Sequence, residues 1–534
     1  MTTQSYWMES APGRPHATLV QDLEVDVVVV GAGITGLSAA WELQRAGRTV
    51  AVVEAGQVAG GVTGNTTAKL TAQHTRIYAH LEKSAGAEAA RLYAASQQAA
   101  IEHLVGTAHE LGIDAEVERM PAFTYAEAAD GAEELCAEAE AAARAGLPAS
   151  FVTETPLPFP VAGAVRVDGQ AQFHPRRYLL GLVDALVAGG ALVFEHSRVT
   201  ELSESDPCRV TTADGVTVTA RDVVVATHYP VFDRALLFSR MEPSRELVVA
   251  AAVPADRAPE GMFVTTEDNT RSVRTAPYGE GRRLLIVTGE AFKPGAGRVG
   301  DRFARLASWM ADRFGAEQVS HRWAAQDDHT TDRLPFVGLL HPGARHAYVA
   351  TGFGGWGMSN GVMAGRLLAE LITGGDSPWA GLYDPRRLHP VREAGAALRM
   401  QATVARHFVA DRFGAGPAGD AEALRPGESA VLKIGGERCA VHRDDAGRLH
   451  AVSAVCTHMG CVVGFNDAER AWECPCHGSR FGVDGEVLQG PATEPLAPVE
   501  GLATGPEAGP PYGSAGAGGS QPSAPSHRSG PKTS

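Results

Sequence analysis

Cysteine and histidine alternate late in the chain at a spacing that can hold metal. The residues run Cys456-Thr-His458-Met-Gly-Cys461, then Cys474-Pro-Cys476-His477-Gly-Ser479. Thiolates and imidazoles are both metal ligands, and a mixed set admits structural zinc. A Cys-x-His pair joined across a hairpin to a Cys-x-x-His pair better suits a [2Fe–2S] cluster. Two thiolates would then hold one iron and two imidazoles the other. The other cysteines carry no such pattern. Cys439 lies in a strand-like run and is expected in the core, and Cys136 and Cys208 stand alone. Five of seven cysteines gathered in the last quarter do not make the framework of a disulfide-stapled secreted scaffold. They point to one local site in a cytoplasmic protein.

The stretch 427–499 resembles a Rieske domain. That resemblance implies Cys456 and Cys474 on one iron and His458 and His477 on the other. It implies a disulfide between Cys461 and Cys476, where high-potential members tie their two cluster loops together. Gly490-Pro491-Ala492 resembles the loop that covers the cluster. Ser479 can donate a hydrogen bond to cluster sulfur, which stabilises the reduced cluster and raises its potential. Phe481 stands where respiratory-type domains place a tyrosine, and phenylalanine has no proton to donate. The expected potential is below the respiratory type and above clusters lacking both hydroxyls.

A second chemistry is written near the N-terminus. VDVVVV (25–30) is a buried-strand pattern, followed by Gly31, Gly33 and Gly36 in GAGITG, a helical run, and TVAVVE ending at Glu54. Gly31 permits the tight turn, Gly33 lets the backbone approach a pyrophosphate, and Gly36 allows close helix–sheet packing. The helix N-terminus offers amides and a positive field to phosphates. Glu54 can hold ribose hydroxyls and would repel a 2′-phosphate, which disfavours NADP. A second GxGxxG at Gly295, Gly297 and Gly300 lacks the adjoining strand and the following acid. It is expected to be a surface loop capping the helix from Asp301, and it counts against a separate NADH-binding domain.

Residues 24–385 resemble the FAD-dependent oxidoreductases of the D-amino-acid oxidase and glycine oxidase superfamily. GGVTGNTTAKLT (60–71), AQFHPRRYLLGLVDAL (171–186), RDVVVAT (221–227), TTDRLPFVG (330–338) and TGFGGWGMSNG (351–361) carry the resemblance. It implies FAD as cofactor. Asn65, Thr66, Thr67 and Lys69 are candidate donors to phosphate and ring oxygens, or else serve a capped turn. Gly352, Gly354 and Gly355 are candidates to face the flavin through backbone amides. Trp356 and Met358 wall the flavin pocket or simply pack. Arg274, Tyr278, His174, His228 and Tyr229 are candidate substrate contacts, and no catalytic base is assigned.

These motifs need elements to position them. Strand-like runs alternate with alanine-rich helical runs, of which Glu82–Leu111 and Gly131–Gly146 are the clearest. The expected fold is α/β: a discontinuous Rossmann-like FAD domain (25–80, 170–230, 330–375) interleaved with a mixed-sheet substrate domain, all within 25–390. A polar lead-in (1–24) precedes it. A helical connector and linker (391–426), a small all-β domain (427–499) and a disordered Gly/Pro/Ser tail (500–534) follow. Hydrophobic residues at 44% and charged residues at 20% are ordinary globular proportions. A formal charge of −15 repels phosphate backbones, so nucleic acid is not an expected partner. No run of eighteen apolar residues suggests a membrane span, and no secretory signal is read at the N-terminus.

The expected function follows from the pair of cofactors. Flavin takes a hydride from carbon beside an amine or hydroxyl, and a cluster of this kind takes one electron at a time. Oxidation of an amine or amino acid, with single electrons passing through the cluster to an unidentified external acceptor, is the leading expectation. Three alternatives remain open: an oxidase using dioxygen with a structural or regulatory cluster domain, an NADH-fed reductase for a partner oxygenase, and a non-enzymatic redox sensor.

Overall fold

The computed structural model describes residues 2–388 apart from 233, 235, 236 and 317, residue 398, and residues 420–499. The connector expected over 391–426 lies mostly outside these residues, and the tail expected over 500–534 lies entirely outside them.

Val27–Val30 is buried on both faces, as a strand inside a parallel sheet must be. The strand Leu23–Val30 pairs in parallel with Val50–Val53 on one side and Thr217–Val225 on the other. Thr217–Val225 pairs in turn with Ala347–Thr351. Segments more than a hundred residues apart thus share one eight-stranded sheet. Helices Ile34–Arg45 and Gly357–Ile372 pack together over it through small residues. The second sheet has nine strands. Its order runs from His321–Thr330 through Met241–Pro254, Arg282–Phe292, Ser272–Pro277 and Met262–Thr265 to Glu118–Ala126, Gly163–Gln172 and Lys69–Leu70. Most neighbours are antiparallel, but Met262–Thr265 runs parallel to Glu118–Ala126, so the sheet is mixed.

One expectation is corrected in detail, and another gains structure. The single helix expected over Glu82–Leu111 is two, Ile77–Ala85 and Ala87–Glu110, broken at Gly86 where φ is 93°. The lead-in is also not a passive segment. Residues Tyr6–Ser10 form a short helix, and Trp7 is fully buried with its indole N–H donating to the Thr66 carbonyl at 2.6 Å. A large apolar ring among polar residues was the available sign.

The C-terminal unit holds a three-stranded and a four-stranded sheet, with Cys456, Cys461, Cys474, Cys476, Trp472 and Phe481 in its core. It docks on the large unit through a buried charge network. Arg245, only 1% exposed, donates to Glu473, which is 0% exposed, at 2.8 Å and to Glu469 at 2.5 Å. Glu473 also accepts from Asn466, Arg480 and the Gly295 amide. The Gly295–Gly300 loop is therefore not a free surface loop, because it is the platform for this docking. Asp467 accepts from the Val299 amide at 2.6 Å, capping the helix Val299–Phe314 from the other unit. Gly464 meets the Gly295 carbonyl so closely that a Cβ would collide with it.

Candidate functional site

The two cysteine–histidine loops are each closed by backbone bonds to their own cysteine. The Gly460 amide donates to the Cys456 carbonyl at 2.9 Å, and the Gly478 amide to the Cys474 carbonyl at 3.0 Å. Strands Leu449–Ser453, Ala471–Glu473 and Arg480–Phe481 carry these loops to one end of the small unit. There the Cys456 and Cys474 side chains are neighbours, and the His458 and His477 rings lie 5.0 Å apart at 88°. Cys461 and Cys476 form a disulfide with S–S 2.03 Å. Both ring nitrogens of His477 are buried with no hydrogen-bond partner among the described residues. Burying an unpaired imidazole is costly, and a metal bond removes the cost. With two free thiols beside it, the donor set fits an iron–sulfur cluster. Ser479 accepts from the Ala492 amide at 3.0 Å and lies within hydrogen-bond reach of Cys456. Phe481 is fully buried.

The larger cavity measures about 1140 Å³. That exceeds the roughly 300–1,000 Å³ of a typical small-ligand pocket and leaves room for a dinucleotide with a donor beside it. Its nucleotide end is built from the turn after Val30. Gly31 has φ 105°, and a Cβ there would lie 2.5 Å from the Ala226 carbonyl. A Cβ at Gly36 would strike the Gly31 carbonyl, so Gly36 sits behind the wall and brings helix to strand. The helix starts with Gly33 as its N-cap, its Ile34 amide donates to the Thr63 hydroxyl at 3.2 Å, and Gly33, Ile34 and Thr35 line the cavity. Glu54 accepts from the Ala32 and Gly56 amides at 2.8 Å each, which fixes its carboxylate on the wall.

At the other end, the loop 65–69 is held through its carbonyls. Trp323 binds the Asn65 carbonyl at 2.8 Å, Trp7 that of Thr66, and Arg274 those of Thr67 and Ala68 at 3.0 and 2.7 Å. The side of the loop facing the cavity keeps Asn65, Thr66, Thr67 and Lys69 on the wall. Gly352, Gly354, Gly355, Trp356 and Met358 line it as well, and Trp356 stacks on His74 at 4.6 Å. Of the five candidate substrate contacts, only His228 lines this cavity. Arg274 spends its guanidinium on backbone carbonyls and positions the loop, while Tyr278 packs edge-on against Tyr6. His174 caps the helix Pro175–Ala188 by accepting from the Arg177 amide.

The sheet face toward the cavity carries residues that the sequence reading did not single out. Strand alternation brings Ser244, Glu246 and Val248 to the wall, with Asp327 opposite Ser244 and Thr288 opposite both Val248 and Ser272. Ser272 and Thr288 hydroxyls are buried without partners among the described residues. Burial, with Arg274 nearby, brings Lys69 down to about 7, while Glu246 opposes that shift. Burial pushes the Glu246 carboxyl up. His228, on the wall, is held up by Asp328 and Asp327 against its burial. Alternating polar residues on a half-buried strand were the only sign of this wall, and nothing in the sequence said which face they would take.

The two sites adjoin. His477 is 1% exposed and packs against Tyr229 at 6.1 Å and Phe238 at 5.6 Å between ring centres. Tyr229 follows His228, which lines the cavity. Gln326 also lines the cavity, and it presses on Gly478, next to His477, where a Cβ would collide with it. His458 is half-buried, with exposed Val455, Thr457 and Met459 beside it in sequence. Among the described residues no helix is long and apolar enough to cross a membrane.

Comparison with known proteins finds a family for each unit. The family model described as FAD dependent oxidoreductase matches residues 26–371, and that of the Rieske [2Fe-2S] domain matches 415–500. The chain is 32% identical over 498 residues to a Bacillus subtilis protein named for a Rieske 2Fe-2S centre, YhfW, covering 93% of this chain and 97% of that one. It is 28% identical to gamma-glutamylputrescine oxidoreductase of Escherichia coli, over 70% of this chain and 89% of that one. The crystal structure of glycine oxidase from Geobacillus kaustophilus superposes with a TM-score of 0.56 at 23% identity, covering 68% of this chain and all of that one. These matches span both units and bring FAD and a [2Fe–2S] cluster with them: the chain belongs to the FAD dependent oxidoreductase family and carries a C-terminal Rieske domain.

Proposed function

We propose that the chain oxidises an amine or amino acid in the large cavity and delivers the electrons, through the docked Rieske unit, to an external acceptor in the cytoplasm. The observation that carries this reading is the inward packing of His477 on Tyr229 and Phe238, one layer of side chains from the cavity. A cluster domain serving only as a staple needs no histidine on that face. When bound, FAD accepts two electrons from the donor carbon and the cluster passes electrons singly.

In this reading Cys456, Cys474, His458 and His477 hold the cluster. Gly31, Gly33 and Glu54 hold the nucleotide end of FAD, and the loop 65–69 with Gly352, Gly354 and Gly355 holds its ring. Gly36 supports the turn from behind. The sheet wall receives the donor. Ser272 and Thr288 offer unpaired hydroxyls for orienting it, and orientation of the reacting C–H does much of the work in such sites. Lys69 takes the proton that an ammonium donor must lose. It faces Thr67, Arg274 and Glu246, and near neutrality a large fraction of it is already neutral.

The relatives' names support the donor class, since one is an oxidoreductase of gamma-glutamylputrescine. The test is anaerobic mixing with a panel of amines, amino acids and hydroxy acids, reading flavin bleaching. Bleaching by at least one amine or amino acid is expected, at a rate that rises with pH through about 7 as Lys69 becomes neutral. Lys69→Met should flatten that rise and slow bleaching by about 10²–10⁴-fold. Bleaching by NADH alone, with none by amines, would favour a reductase.

A further inference from the structure

The strand Val487–Gln489 and the turn after it belong to the Rieske unit, yet they stand on the wall of the FAD cavity, with Leu488, Gln489 and Gly490 lining it. They stand at its nucleotide end. Arg198 donates to the Val487 carbonyl at 3.2 Å while its charge faces Glu54. A Cβ on Gly490 would come within 3.3 Å of Val231, another wall residue.

Two features of this segment ask for an occupant. Leu488 is an apolar side chain left 47% exposed on a cavity wall. The Gln489 side-chain Nε2 is buried with no hydrogen-bond partner among the described residues. Two residues beyond Gly490 the same segment reaches the other site, where the Ala492 amide donates to the buried Ser479 hydroxyl beside Cys456.

We propose that residues 487–492 are a shared wall: FAD closes against Leu488 and Gln489, and in doing so fixes the segment that covers the cluster. The FAD site is then incomplete without the Rieske unit. Coupling of two binding sites is reciprocal, so whatever the cluster-bearing fold adds to FAD affinity, FAD returns to cluster retention. This is a statement about holding the two cofactors, and it stands whether or not electrons pass between them.

The test uses the full-length chain, stripped of flavin with its cluster retained. Titrated with FAD, the double variant Leu488→Gly, Gln489→Ala should bind about tenfold more weakly than the parent, in line with the loss of one buried leucine contact. The visible circular dichroism of its cluster should be unchanged. An unchanged FAD affinity would overturn the proposal. A second measurement needs no variant and decides the matter should the altered chain lose its cluster. On the parent protein, added FAD should slow amide exchange across 487–492 and slow cluster loss to an iron chelator. Exchange or cluster loss indifferent to FAD would contradict the shared wall. None of these readouts requires a donor or turnover, so failure of the relay leaves them intact.

Discussion

The Rieske unit has two faces, and they are built differently. Its docked face carries His477, the buried Arg245–Glu473 pair and two glycines pressed against the large unit. Its open face carries His458 among exposed Val455, Thr457 and Met459. His477 is sealed against the large unit, while His458 is half-buried beside exposed neighbours. On the proposed relay, electrons would enter at the docked side and leave at the open one, and the two faces are separable by mutation.

The largest effect is expected at the buried pair. Arg245→Ala removes the large-unit cation from Glu473 and Glu469 and leaves them Arg480, so the cost is below the about 3–5 kcal/mol of a buried charge left wholly unpaired. A urea titration should show the small unit releasing first, and donor-driven cluster reduction should slow while flavin bleaching keeps its rate. If cluster reduction is unaffected, the docked face has no part in electron entry. Gly464→Val attacks the same face sterically, against the Gly295 carbonyl. It should cost about 1–3 kcal/mol, with the same split between the two rates.

On the open face, Met459→Glu should change stability by no more than about 0.5 kcal/mol, as is usual for surface substitutions. It should leave internal cluster reduction alone and alter only the rate to an added electron acceptor. An effect on the internal step instead would mean that the two faces are not functionally distinct. The smallest change is Phe481→Tyr. The added hydroxyl should raise the cluster potential, read by redox titration, without affecting docking. A lowered or unchanged value would mean that the hydroxyl does not reach the cluster.

How much of this the sequence disclosed depended on how local each feature is. The proposed cluster ligands lie within 22 residues and their loops close on themselves, so spacing together with the Rieske resemblance was enough to propose them. The nucleotide turn was legible for the same reason, since strand, glycines, helix and Glu54 are consecutive. The sheet wall of the cavity, where the donor is proposed to bind, was not legible. Ser244, Glu246, Val248, Ser272, Thr288 and Asp327 come from four strands, and which face each strand shows the cavity is decided by register in the assembled sheet. The docking surface was misread for a related reason: the Gly295–Gly300 loop has no partner until another unit arrives 170 residues later. Arg274 was placed on the substrate side by its strand, but its guanidinium is consumed by carbonyls of a loop two hundred residues away.

The central claim is that electrons pass from cavity to cluster within one chain. It is tested most directly by anaerobic reduction with an active donor at several protein concentrations, with flavin bleaching followed optically and the reduced cluster by freeze-quench EPR. The account predicts that the cluster signal follows bleaching with a rate constant independent of protein concentration. A cluster that stays oxidised, or one reduced at a rate proportional to protein concentration, would contradict it.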